Sequence, residues 1–173
     1  TTLALMTMHG GIYLCIKTEG RLFDKVERLV KVAIGVFVIL FLALSGYALA
    51  SYPNLSDKFL SNPVLFIVPV LALLSIANVP RLVTKQRFRR AFLFSALTFS
   101  FLLITVAIEL YPTLIFATNE VNYSITVYNA AASEKSLGIM LLMVAIGAPL
   151  AVTYTAFVYR AFWGKVRMDE TSY

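Results

Sequence analysis

His9 and Cys15 are the chain's one histidine and one cysteine, and that scarcity decides most of what chemistry it can do alone. A lone cysteine forbids an intrachain disulfide and cannot build a thiolate metal site. It fits better as a small apolar residue in a helix. One histidine cannot supply a two-histidine haem site or a structural zinc. His9 itself has two readings: a haem or metal ligand, or a polar contact hydrogen-bonded to a neighbouring helix. Met6, Met8, Met140 and Met143 could act as axial ligands, but filling irregular gaps in a core is the commoner use of methionine. There is no glycine-rich phosphate loop, no Ser/His/Asp set and no pair of carboxylates. What remains is Glu109, the acid inside an apolar run. A charge at bilayer depth costs roughly 3 kcal/mol, so Glu109 is a functional candidate for a proton path or an ion pair. Its place three residues before Pro112 also lets it reach interfacial water.

The elements that must position these residues are apolar. The chain has 173 residues, 60% of them hydrophobic, and a mean hydropathy of +0.82, against about 45–50% apolar residues in soluble domains. Its apolar residues fall into five runs, at about 1–16, 29–50, 63–80, 91–111 and 137–162. The expected fold is therefore an all-α integral membrane protein, a single membrane domain over 1–173 with about five transmembrane helices forming part of a helical bundle. The run at 29–50 is rich in β-branched residues, yet an isolated strand cannot satisfy its backbone in lipid, so helix is expected there too. Pro69 predicts a kink within the third run. Ser61-Asn62-Pro63 predicts the cap and first turn of that helix, and Tyr52-Pro53-Asn54 a turn ahead of it.

The first run is short. Sixteen residues at 1.5 Å each reach about 24 Å, less than the roughly 30 Å hydrocarbon core. It also lacks the basic start and cleavage site of a signal peptide. It reads as a truncated helix, as expected of a fragment, a processed product or one half of a split subunit.

A net charge of +6 raises nucleic acid as a partner, but the distribution argues against it. The basic residues lie in short clusters between apolar runs, as in the cytoplasmic loops of membrane proteins. Lys17, Arg21, Lys25, Arg28 and Lys31 form one cluster, Arg81, Lys85, Arg87, Arg89 and Arg90 a second, and Arg160, Lys165 and Arg167 a third. The connections between them carry only Lys58 and Lys135 as basic residues. Alternation over five helices places the three clusters and the C-terminus on the cytoplasmic side.

Three stretches carry a resemblance. His9-Gly10-Gly11-Ile12-Tyr13-Leu14 followed by Lys17-Thr18-Glu19-Gly20-Arg21-Leu22, then Ser124-Ile125-Thr126-Val127-Tyr128-Asn129-Ala130-Ala131-Ala132-Ser133, then Tyr154-Thr155-Ala156-Phe157 leading to Phe162-Trp163-Gly164-Lys165-Val166, occur in this order. Together they resemble the second half of subunit II of the cytochrome bd family of quinol oxidases, over essentially the whole chain. The resemblance implies a subunit without haem ligands of its own, in a bacterial or archaeal plasma-membrane complex that oxidises quinol and reduces oxygen to water. It implies b- and d-type haems in a partner, subunit I, and contacts with the N-terminal half of subunit II and with a small accessory subunit. It also leaves room for a bound quinone or lipid. The family's proton-path acid lies in helices absent from this chain, so no catalytic residue carries over.

Two other classes fit the same composition. Pro69 and Pro149 would suit the broken helices of half a secondary transporter, although no internal symmetry or midplane polar cluster is visible. A scaffold or assembly subunit without a redox partner is the plainer alternative. Co-purifying haem or substrate uptake in vesicles separates these classes.

Overall fold

A computed structural model describes residues 1–51, 57–117, 123–162 and 164. The order of elements is α1 (Thr2–Lys17), α2 (Gly20–Ser51), α3 (Asp57–Ser61), a 3-10 turn (Pro63–Phe66) running into α4 (Ile67–Thr84), α5 (Phe88–Leu110), β1 (Thr113–Ile115), β2 (Ile125–Thr126) and α6 (Glu134–Ala161). The chain divides into two compact units at Glu109/Leu110. The first holds α1 to α5; the second holds the strand pair and α6. Among the described residues, four helical segments are long and apolar enough to cross a bilayer: Gly20–Ser51, Pro63–Thr84, Phe88–Leu110 and Glu134–Ala161.

α1 and α2 form a helical hairpin with a two-residue break. Thr18 is extended, its backbone N–H and hydroxyl both bonded to the Leu14 carbonyl, and Gly20 adopts φ +62. A left-handed residue is what Gly tolerates without penalty, so Thr18-Glu19-Gly20 reverses the chain at once. Thr1 meets Leu40 and Gly11 meets Val30; ten residues along α1 match ten along α2 in the opposite sense, and the two helices are antiparallel.

Lys17 to Lys31 therefore is not a loop. Most of it is the first turns of α2, which begins at Gly20 rather than near 29. Phe23, Val26 and Val30 recur at helical spacing and face the core, while Asp24, Lys25 and Arg28 between them are exposed and Glu27 is half-buried. An amphipathic stripe hidden among eight charges is enough to hold a helix once another helix covers it. The Glu27–Lys31 pair, 2.6 Å apart at i,i+4, adds a few tenths of a kcal/mol on a solvated face, about 0.3–0.5.

Four stripes make the core of this unit: Leu5, Met8, Ile12 and Cys15 on α1; Val26, Val30, Ile34 and Phe37 on α2; Ile76, Val79, Leu82 and Val83 on α4; Phe88 and Ala91 on α5. The rest of α5's buried face is small and polar, Ser95 and Thr98. Their hydroxyls bond back to the Phe92 and Phe94 carbonyls, which satisfies them without water.

Pro69 does not kink a helix interior. The segment opens as a 3-10 turn with Asn62 at the cap position and Pro63 in its first turn, without a side-chain capping bond. Pro69 is then the third residue of α4, where a missing N–H deprives the helix of little. The proline inside α4 is Pro80, and the helix continues past it to Thr84.

α4 ends in a Schellman motif. The Gln86 N–H bonds the Val83 carbonyl and the Arg87 N–H the Leu82 carbonyl, with Gln86 at φ 56 in the left-handed position that glycine usually fills. Three residues, Lys85 to Arg87, thus link α4 to α5.

In the second unit, Thr113 pairs with Thr126 and Ile115 with Ile125 in a short antiparallel ladder. Asn129 accepts from the Thr126 N–H at 2.7 Å and donates to the Ser124 carbonyl at 2.9 Å, so the segment before α6 is a bonded turn. Tyr111 and Tyr128 join through their hydroxyls, and that bond raises the Tyr128 phenol above its usual range. Ser133 caps α6 by accepting from the Ser136 N–H. The turn expected at Tyr52-Pro53-Asn54, and Trp163, Lys165 and Arg167, lie outside the described residues.

Candidate functional site

His9 stands on α1 facing α5. Its Nδ1 lies 2.7 Å from Ser95 Oγ, and its ring stacks on Phe92 with centroids 4.4 Å apart. Tyr13, one turn further along α1, also packs against Phe92, with ring centroids 5.7 Å apart. Ser95 is fully buried, and its single hydroxyl proton goes to the Phe92 carbonyl at 2.8 Å. With its proton on that carbonyl, the Ser95 oxygen is free to accept from a His9 imidazole protonated at Nδ1. Such a chain of bonds between helices is how membrane proteins satisfy polar side chains that lipid cannot.

This arrangement accounts for His9 as a tie between α1 and α5. Its second nitrogen, Nε2, offers a single lone pair in that tautomer, and among the described residues no three His, Cys, Asp or Glu side chains converge on a common point. Cys15 is buried in the apolar core, as is Met8, so neither is presented as a ligand.

Glu109 sits in the last turn of α5. Ser95 and Glu109 are fourteen residues apart on that helix, about 21 Å along its axis at 1.5 Å per residue, so the two candidates do not share a site. Lys58, from α3, donates to the Glu109 backbone carbonyl and approaches the Ile108 carbonyl at 3.5 Å. A cation on the last carbonyls of a helix complements both the orphan acceptors and the negative end of the macrodipole. The carboxylate of Glu109 is not used in this cap. Its Oε2 is buried and has no hydrogen-bond partner among the described residues.

Sequence reasoning placed His9 and Glu109 but not their neighbours. Ser95 is 86 residues from His9 and Lys58 is 51 from Glu109, so no local pattern links them. The small residues Ala91, Ser95 and Thr98 on one face of α5 were the available sign that a helix approaches closely there. A further contact was equally hidden: Gln86 Nε2 donates to Glu27 Oε1 at 2.7 Å, tying the α4–α5 turn to α2.

Four helices of this length and apolarity among the described residues, with basic residues clustered between the apolar runs, define a multi-pass helical membrane protein. The family model described as Cytochrome bd terminal oxidase subunit II matches residues 1–162, and the chain belongs to that family. It is 23% identical over 199 aligned positions to the Cytochrome bd-I ubiquinol oxidase subunit 2 of Escherichia coli K12, covering 98% of this chain and 52% of that one. It is 24% identical over 190 positions to the Probable cytochrome oxidase subunit 2 of Haemophilus influenzae, covering 95% of this chain and 50% of that one. The chain thus spans about half the length of both relatives.

Proposed function

We propose that this chain acts as the C-terminal half of subunit II in a bd-type terminal oxidase, a complex that oxidises quinol and reduces oxygen to water. The observation that carries this reading is the family match over residues 1–162, joined to the three ordered stretches that begin at His9, Ser124 and Tyr154. In this role the chain contributes packing and no catalytic centre of its own, and the b- and d-type haems belong to subunit I. Its other partners are the N-terminal half of subunit II and a small accessory subunit, with quinol in the membrane and a quinone or lipid against its apolar faces. The complex lies in a bacterial or archaeal plasma membrane, with the basic ends of the helices and the C-terminus facing the cytoplasm. The one-sided distribution of basic residues supports that orientation.

Within this function His9 is a positioning residue that holds α1 against α5, supported by its bond to Ser95. Glu109, at the opposite end of α5, is the candidate for a proton path or an ion pair, supported by its buried Oε2 without a partner among the described residues. The reading is tested by tagging this chain, purifying it from its native membrane in mild detergent and measuring quinol-driven oxygen uptake. Uptake by the purified complex supports it. A stable complex that takes up no oxygen with any quinol would return the chain to the transporter or scaffold classes.

A further inference from the structure

The turn between α4 and α5 carries more positive charge than the protein around it uses. Arg81, Lys85, Arg87, Arg89 and Arg90 lie within ten residues that contain no acid, and all five side chains are exposed. The Schellman reversal at Gln86 brings the end of α4 and the start of α5 together, so these cations share one small surface at the end of the apolar spans.

Neither helix stability nor ion pairing explains Arg81, Lys85, Arg87 and Arg90. Arg89 and Arg90 occupy the first turn of α5, where the macrodipole disfavours cations. Arg81, Lys85, Arg87 and Arg90 have no carboxylate partner among the described residues. The acid that does reach this turn is Glu27, and its Oε1 is already bonded by Lys31 at 2.6 Å and by Gln86 at 2.7 Å. It anchors the turn through a neutral amide and leaves the Arg81, Arg87 and Arg90 guanidinium groups without a carboxylate among the described residues.

We propose that this basic turn binds the headgroup of an anionic phospholipid in the leaflet at its end of the molecule. The charge complements a phosphate diester. The position is suitable, because Ile67–Thr84 and Phe88–Leu110 are apolar spans with many side chains exposed, including Leu73, Leu74 and Leu93, against which acyl chains pack. Clusters of four or more basic residues beside a transmembrane helix gain about 1 kcal/mol each from an anionic surface, and the α4–α5 turn presents five. The proposal does not depend on the oxidase reading.

The test uses the tagged complex in nanodiscs of phosphatidylcholine with one-fifth phosphatidylglycerol, counting retained lipids by native mass spectrometry. Expected is enrichment of phosphatidylglycerol over its share in the disc and loss of that enrichment in high salt. Arg87→Gln with Arg90→Gln weakens phosphatidylglycerol retention about tenfold or more. Arg87→Lys with Arg90→Lys preserves it, and so does Lys135→Gln at the other connection. Equal retention of both lipids by the wild type, or enrichment unaffected by salt, overturns the proposal without any variant. Loss of a protein subunit from the glutamine variant with lipid retention unchanged also overturns it and assigns the patch to an acidic protein.

Discussion

A Cβ atom built on Gly11 would lie 2.7 Å from Val30 Cγ2. That distance is below any ordinary carbon contact, and Val30 cannot swing aside freely because a β-branched side chain in a helix has one strongly preferred χ1 rotamer. The neighbouring Gly10 has nothing within 4 Å of the same position. Two adjacent glycines thus do different work: one sets the spacing of α1 and α2, and the other faces outward.

Gly11→Ala should destabilise the protein by about 1–3 kcal/mol, the usual effect of forcing a methyl group into a packed contact. Gly10→Ala should be neutral or stabilising by up to about 1 kcal/mol through helix propensity. Thermal unfolding of the two variants in the same detergent checks this, and equal midpoints would contradict the close approach.

Ser95→Ala removes the hydrogen-bond partner of His9 Nδ1. Hydrogen bonds between membrane helices average about 0.6 kcal/mol and reach about 1.7, so a loss in that range is expected, with the larger value favoured by the complete burial of Ser95. His9→Phe combined with Ser95→Ala should lose less than the two single changes added together, because each single change already breaks the same bond. Strictly additive effects in denaturant unfolding would show that the two residues are not coupled.

Gln86 sets two effects against each other. Gln86→Gly relieves a left-handed backbone costing roughly 1–2 kcal/mol and loses one hydrogen bond to Glu27 worth about 1 kcal/mol, so the net change should be within about 1 kcal/mol of zero. Gln86→Val loses the bond and worsens the strain, and should destabilise by at least 2 kcal/mol by the same figures. Unfolding midpoints for the pair decide it; a harmless valine would mean that Gln86 is not left-handed.

Glu109→Gln keeps the shape of the side chain and removes its proton. As a residue of a proton path its loss should lower oxygen uptake by the complex at least tenfold, on the order of what one positioned proton-transfer group contributes, while assembly is unchanged. Lys58→Met, which removes the cap on the Glu109 carbonyl, should lower stability by roughly 1 kcal/mol and leave oxygen uptake alone. Unaltered uptake in Glu109→Gln would reduce this residue to a helix-end contact.

The membrane character of the chain was legible because bilayer burial demands long uninterrupted apolar runs, and Leu29 to Ala50 or Leu137 to Phe162 cannot be read otherwise. The start of α2 was not, because the charges from Lys17 to Lys31 outweigh Phe23, Val26 and Val30 in any average, and only packing against α1 reveals that stripe. Pro69 illustrates the same limit: whether proline kinks a helix or opens one depends on where the first turn falls. His9 was visible as an unusual residue, but its meaning rests on Ser95, which reaches it only after α1 and α5 have come together.

The most direct measurement of the central claim is a reduced-minus-oxidised optical spectrum of the membrane complex purified through a tag on this chain. The account predicts absorbance bands of b- and d-type haems, carried by a partner that co-purifies with it. A pure, stable complex with no haem bands would contradict it.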